Sequence, residues 1–294
     1  MTSIVQALFD TVSFGSLFAL TALGIALIFG VMRMINFAHG ELIMLGAYTL
    51  LLVTSAPLPL LFLIAIAAAV VAAVGMERIA FRPVRRADPS TLLVTSFAVS
   101  FLVQNLLMLT VGGRSKSLDI GGDVSRPIML GAAEIPLLDI VTIGISVLVV
   151  AALWLFLSKT MIGIQMRAAA DDFVMARLAG IRANRVIASA FALSGVLAGV
   201  VSVLYCARTG VLTPQLGMTP VLIGFVAAVL GGVGSLVGAM AGGFLMGALT
   251  VSMQILLPGS IRSYRDAFVF VLVIIVLLIR PQGLFPGPGS RGRV

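Results

Sequence analysis

Nine stretches of continuous apolar sequence, separated by short polar segments, dominate the chain. Seven of them lie at about residues 12–31, 60–77, 91–111, 136–157, 186–206, 238–257 and 265–280. They come near the roughly 20 residues a helix needs to cross hydrocarbon. Two are shorter. Residues 41–56 (ELIMLGAYTLLLVTSA) and 219–233 (TPVLIGFVAAVLGGV) fit either a full helix or a half-helix that enters the membrane and stops. The runs are unbroken, as in Leu60 to Val74. They therefore lack the alternation of membrane-barrel strands. The pattern predicts an all-α, polytopic transmembrane helical bundle of about 8–9 spans, with residues 1–294 forming a single domain.

One polar segment stands apart. Ser158 to Arg185 holds Lys159, Arg167, Asp171, Asp172, Arg177, Arg182 and Arg185, seven of the chain's 30 charges. Its middle, GIQMRAAADDFVMARLAGI, has helical spacing. Met166, Ala169, Phe173, Ala176 and Gly180 fall on one apolar stripe, and Arg167 and Asp171 pair at i,i+4 on another face. Such a helix can offer a knob to a partner's groove. Its alanine content and balanced charge argue against an interfacial helix resting on lipid.

Composition agrees with a membrane solvent: 60% hydrophobic, 10% charged and a mean hydropathy of +1.19. The net charge of +8 is no nucleic-acid footprint, because the basic residues sit in short loops between apolar runs. It is the positive-inside pattern. Thirteen bases (Arg33, Arg78, Arg82, Arg85, Arg86, five in 158–185, and Arg280, Arg291, Arg293) alternate against six on the other side (Arg114, Lys116, Arg126, Arg208, Arg262, Arg265). This predicts a cytosolic C-terminus, a cytosolic 158–185 segment and, if all nine stretches cross, an external N-terminus. The first ten residues carry no Lys or Arg, so the first span is expected to stay in the mature chain. The external connector 112–135 is expected to be a small cap, a docking surface or a solvated connector. Cys206 alone allows neither a disulfide nor a CxxC metal site and reads as a buried hydrophobe.

Two motifs could carry chemistry. RMINFAHGE puts Arg33, Asn36, His39 and Glu41 into nine residues at a membrane boundary. Ionisable groups there are expensive and tend to be paired or functional. Asn36 and Gly40 suit a broken helix, and the set reads as a polar knot near the cytosolic face. VLGGVGSLVGAMAGGFLMGA (229–248) has glycines at 231, 232, 234, 238, 242, 243 and 247. It reads as small-residue helix packing, or as a break at Gly231, Gly232 and Gly234 that lines a cavity. No GxxxxGK[ST] occurs, so nucleotide chemistry would need another chain. Gln104 and Asn105 are polar residues inside a span, and no acid is expected deep in a long span, which argues against an ion-coupled carrier. One His, one Cys and no HExxH leave no constellation for a membrane-embedded enzyme.

INFAHGE (35–41), ERIAFRPVR (77–85), GIQMRAAADD…ARLAGI (163–181), AAVLGGVGSLVGAMAGG (227–243) and RPQGLF (280–285) resemble, in order, the permease subunits of Leu/Ile/Val-type ABC importers. The resemblance implies a non-catalytic inner-membrane permease with no cofactor of its own. It implies a second homologous permease subunit, two cytosolic ATPase subunits holding ATP and magnesium, and a periplasmic substrate-binding protein. The ATPase-coupling stretch maps to Gly163, Arg167, Ala168, Ala170, Asp171, Phe173, Ala176, Leu178, Gly180 and Ile181. A translocation pathway is expected near Asn36, His39, Gly40, Glu41, Gln104, Asn105, Gly231, Gly232 and Gly234. Related permeases carry urea or short amides, and a stand-alone channel or secondary carrier is the alternative outside the family.

Overall fold

The computed structural model describes residues 4–53, 56–85, 87–118, 120, 127–130 and 133–285. Arg86, Arg126, Arg291 and Arg293 of the charge pattern lie outside the described residues. Two helices form the centre. These are α1 (Ile4–Met32) and a later helix at Ala183–Thr209, whose apolar windows are 83% and 72% buried. A helix that is apolar all round is stable either inside the protein or against lipid, and these two are covered by protein. Its small residues let neighbours come close. Gly15 and Ala19 of α1 sit against Phe244, Gly243 and Gly247 of the helix at Leu236–Leu256.

After a break at residues 33–38 comes α2 (His39–Thr49), closed by a 3-10 turn at Leu50–Leu52. Then α3 (Leu58–Met76) runs on through a π turn, Glu77–Phe81, to Val84. Pro83 can donate no backbone hydrogen bond, and the widened turn accommodates that gap. α4 (Pro89–Val111) and α5 (Leu137–Lys159) follow. The apolar windows of α3, α4 and α5 are only 22–28% buried, so these helices form the outer shell. α6 (Met161–Asp171) and α7 (Phe173–Leu178) lead into α8 (Ala183–Thr209). α9 (Met218–Gly231), α10 (Leu236–Leu256) and α11 (Arg265–Ile279) complete the bundle. α3 lies on α8 where Ala65, Ala69 and Ala73 meet Gly195 and Gly199, the small-residue seam that membrane helices use.

Among the described residues, six helices are long and apolar enough to cross a membrane, with α2 and α9 as shorter apolar helices. The two segments expected to be short are short. The expected span at 265–280 is a helix of 15 residues, below crossing length even untilted. α1 begins at Ile4, eight residues before the apolar run, because a hydrogen-bonded helix need not stop where hydrocarbon does. That brings Asp10 into the N-terminal part of α1, while Asp139 lies in the first turn of α5 and Glu77 in the π turn that follows α3.

At one end of the bundle Asp139 Oδ1 accepts a hydrogen bond from Ser13 Oγ at 2.6 Å and pairs with Arg208 Nη2 at 3.1 Å. Arg208 Nη1 also donates to Ser13 Oγ at 3.0 Å, and the guanidinium lies 3.7 Å from the Phe14 ring centroid. The cluster ties α1, α5 and α8 together. Asp139→Ala should leave the Arg208 guanidinium, 21% exposed, without its salt-bridge partner and with Asp10 as the acid that still acts on it, at a cost of about 3 kcal/mol. The check is the thermal midpoint of detergent-solubilised protein, which should fall for Asp139→Ala and less for Asp139→Asn.

The connector 112–135 is not wholly irregular. β2 (Pro127–Leu130) pairs antiparallel with β3 (Ala133–Pro136), and β1 (Lys116–Ser117) pairs with β4 (Val211–Leu212) just after α8. These short ribbons sit at the Asp139–Arg208 end. Residues 119, 121–126 and 131–132 of the expected cap lie outside the described residues.

Candidate functional site

The polar motif at 33–41 is where the bundle departs from continuous helix. Arg33 takes a left-handed backbone (φ 54°), which ends α1, and its Nη2 donates to the carbonyl of Ala170 at 2.9 Å. The chain then turns back into the bundle. His39 packs against Gly24, eight residues before the end of α1, or about 12 Å at 1.5 Å per residue. The knot therefore lies deeper than the cytosolic face where the sequence pattern puts it. His39 is fully buried, with Nδ1 2.9 Å from Ser194 Oγ. Asn36 Oδ1 accepts from the Ala38 N–H at 3.1 Å.

The first turns of the two half-helices, α2 and α9, touch each other. A Cβ on Gly40 would overlap the Gly217 carbonyl, and one on Gly217 would overlap the Gly40 carbonyl. Gly40 is thus a packing residue that lets two helix N-termini meet inside the bundle.

Glu41 joins α2 to α4. Its Oε1 accepts from Ser100 Oγ at 2.6 Å and from Gln104 Nε2 at 2.7 Å. One turn away, Ser96 Oγ bonds the Phe37 backbone N–H at 3.3 Å. Phe37 stacks on Phe97 with centroids 4.5 Å apart and tilts against Phe225 of α9 at 5.6 Å. All three rings are half-buried. Asn105, grouped with Gln104 from the sequence, faces elsewhere: it is exposed and bonds the Phe101 carbonyl of its own helix at 2.7 Å. Ser96 and Ser100 escaped the sequence reading, although Ser96, Ser100 and Gln104 at i, i+4 and i+8 form a legible polar stripe.

The glycine break behaves differently from a cavity lining. Gly231 packs directly on Gly238, and Gly242 on Ala227, which closes α9 and α10 into a tight hairpin. Gly232 and Gly234 take positive φ (113° and 90°) to turn the chain, and Ser235 caps α10 by accepting from the Gly238 N–H. The chain's RPQGLF segment returns here. The Leu284 and Phe285 N–H groups bond the Leu230 and Gly231 carbonyls, both at 2.9 Å.

The polar segment folds as two helices, not one. Thr160 caps α6 through the Gly163 N–H, and Asp172 caps α7 by accepting from Val174 and Met175 N–H at 2.9 and 3.0 Å. That break at Asp172 overturns the continuous helix expected over 163–181. Met166, Ala169 and Ala176 of the expected stripe are buried against the chain's own bundle. Gly163 is pressed onto the backbone of Phe156 and Leu157, where a Cβ would overlap. The outward face is another set: Val174, Met175 and Leu178, 62–76% exposed, with Arg167, Ala168, Asp171 and Arg177 beside them. Gly180 is exposed with φ 86°, and Ile181 is half-buried. Val174 and Met175 were missed because a six-residue helix shows too little periodicity to separate its faces.

Beside α7 opens a cavity of about 670 Å³ whose lining includes Arg33, Arg85, Arg177, Arg182, Arg185 and Phe173. Arg85 hydrogen-bonds the Asn184 side chain across it. Among the described residues, Arg177, Arg182 and Arg185 make neither an ion pair nor a side-chain hydrogen bond. The exposed apolar side chains of α7 therefore stand between this arginine-lined cavity and the acids Asp171 and Asp172.

Half-helices meeting inside a helical bundle, with an exposed helical arm at one end, define a multi-pass membrane protein of transport type. Residues 7–277 match the family described as branched-chain amino acid transport system / permease component, and the chain belongs to that family. It is 35% identical over 297 residues to the high-affinity branched-chain amino acid transport system permease protein BraD of Pseudomonas aeruginosa, covering 96% of each chain. It is 33% identical over 305 residues to the LivH permease protein of the same kind of system in Escherichia coli K12, again covering 96% of each. Among solved structures, PsaBC from Streptococcus pneumoniae in complex with Fab shares the fold. The TM-score is 0.51 at 17% identity, covering 95% of this chain and 92% of that one.

Proposed function

We propose that the chain is a non-catalytic permease subunit of an ABC importer that moves branched-chain amino acids across the bacterial inner membrane. It pairs with a second permease subunit and receives substrate from a periplasmic binding protein. Separate cytosolic ATPase subunits bind magnesium and ATP, and this chain supplies no cofactor. The observation that carries the reading is the outward face of α7: three bare apolar side chains beside five arginines, on an arm tied to α1 through Arg33 and Ala170. Such a face needs a partner. The names of relatives aligned over 96% of their length supply the substrate class.

The orientation follows from the same charges. Arg33, Arg85, Arg177, Arg182 and Arg185 share one end of the bundle, and this supports a cytosolic side for α6 and α7 by the positive-inside rule. Force on the arm reaches α1 through the Arg33–Ala170 hydrogen bond and α5 through the close seat of Gly163. The same end of α1 leads into the broken segment, where Asn36, His39, Gly40, Glu41 and Gln104 line or support the substrate path.

Reconstitution tests the reading. Proteoliposomes holding both permease subunits, the ATPases and leucine-loaded binding protein should accumulate labelled leucine only with ATP inside. Uptake by this chain and its permease partner alone would instead support a stand-alone carrier.

A further inference from the structure

Glu41 has a partner deficit that the fold does not explain. It is 2% exposed, about mid-bundle, and both donors that reach it, Ser100 and Gln104, bind the same oxygen. Oε2 has no hydrogen-bond partner among the described residues. The ion pairs among those residues join Arg208 to Asp139 and Arg265 to Asp266, and no cation reaches Glu41. A buried carboxylate oxygen left unpaired is costly, and in a membrane bundle such a group points to a ligand cation or a proton.

The surroundings select among cations. Glu41 and Phe37 lie one turn apart on one side of the seam, and Ser100 and Phe97 one turn apart on the other. Phe37, Phe97 and Phe225 form a half-buried aromatic cluster about one turn along the seam from the acid. A bare metal ion would want several oxygen ligands, and no group of three or more His, Cys, Asp or Glu stands together among the described residues. An acid beside an apolar platform instead fits an ammonium carried on an aliphatic body. The seam also borders α4, whose apolar window is only 28% buried by its own chain.

We propose that Glu41 Oε2 receives the α-ammonium of the amino acid in transit, while Phe37, Phe97 and Phe225 receive its aliphatic side chain. Ser100 and Gln104 are positioning residues that fix the carboxylate through its other oxygen. This rests on the amino-acid permease reading above.

The test uses the complete reconstituted importer. Glu41→Gln keeps shape and both accepted hydrogen bonds but removes the charge. Leucine uptake should fall about tenfold or more, the scale of one lost charge-assisted contact. Subunit assembly and ATPase stimulation by loaded binding protein should persist, and Glu41→Asp should recover part of the uptake. On the unaltered complex, leucine should protect Glu41 from a hydrophobic carbodiimide, read by mass spectrometry. 2-Hydroxy-4-methylpentanoate, which lacks the ammonium, should not protect it. Uptake by Glu41→Gln within about twofold of the parent, or labelling indifferent to leucine, overturns the assignment. If the variant fails to assemble, the labelling decides alone. Failure of the unaltered importer to take up leucine would instead overturn the function on which the inference rests.

Discussion

Val174→Glu with Leu178→Glu should detach the ATPase subunits and bring ATP-driven leucine uptake to background. Both side chains are exposed, 67% and 76%, so neither supports the bundle, and the permease should still be inserted and monodisperse. Burying a side chain of this size against a partner contributes about 1.5–3 kcal/mol, so losing two weakens docking by about a hundredfold or more. The new carboxylates would stand beside Arg177, and an intramolecular pair with it would further withdraw the face from the partner. Co-purification of tagged permease with the ATPases is the measurement, and undiminished recovery would remove α7 from the coupling interface. Reversing Arg177, Arg182 and Arg185 to Glu should act differently. It should weaken co-purification most at low salt, because the arginine-lined cavity acts through a screened field.

The second large effect concerns Gly217, where no motif is visible. Gly217→Val should prevent folding, seen as loss of monodisperse protein after extraction from membranes. A Cβ there would overlap the carbonyl of Gly40, and both atoms belong to backbone that cannot step aside without separating α2 from α9. Overpacking costs about 1–3 kcal/mol where side chains can yield, and more where only backbone is available. Gly144→Ala in α5 is the contrasting case. Nothing lies within 4 Å of its added methyl, so stability should hold or rise slightly. Equal behaviour of the two variants would refute the close contact of the half-helices.

Particular residues show how far the sequence reaches. The half-helices at 41–56 and 219–233 are visible because their apolar runs are too short, and the structure keeps both short. Cys206 reads as a buried hydrophobe and is one. The 158–185 arm is legible as a helical insert because charge and spacing change together there. Its break is not legible, since Asp172 looks like one more polar residue until its carboxylate caps the next helix. Nor is the arm's outward face, because only docking against α1 and α8 shows that Met166 and Ala169 are used internally. Gln104 and Asn105 are adjacent and chemically alike, yet the roughly 100° between neighbouring helix positions sends Gln104 to Glu41 and Asn105 to its own backbone.

The sequence by itself determined the solvent, the helix count to within one or two, the separation of charges between the two ends and the family. All of these depend on composition and on order along the chain, which local physics reads directly. Tertiary structure alone decided the depth of the 33–41 motif, the meeting of Gly40 with Gly217, and the face that α7 turns outward. It also decided that Glu41 keeps one oxygen free. These depend on which surfaces of distant segments come within a few ångströms, and hydropathy, being nearly uniform around such apolar helices, carries no record of that choice.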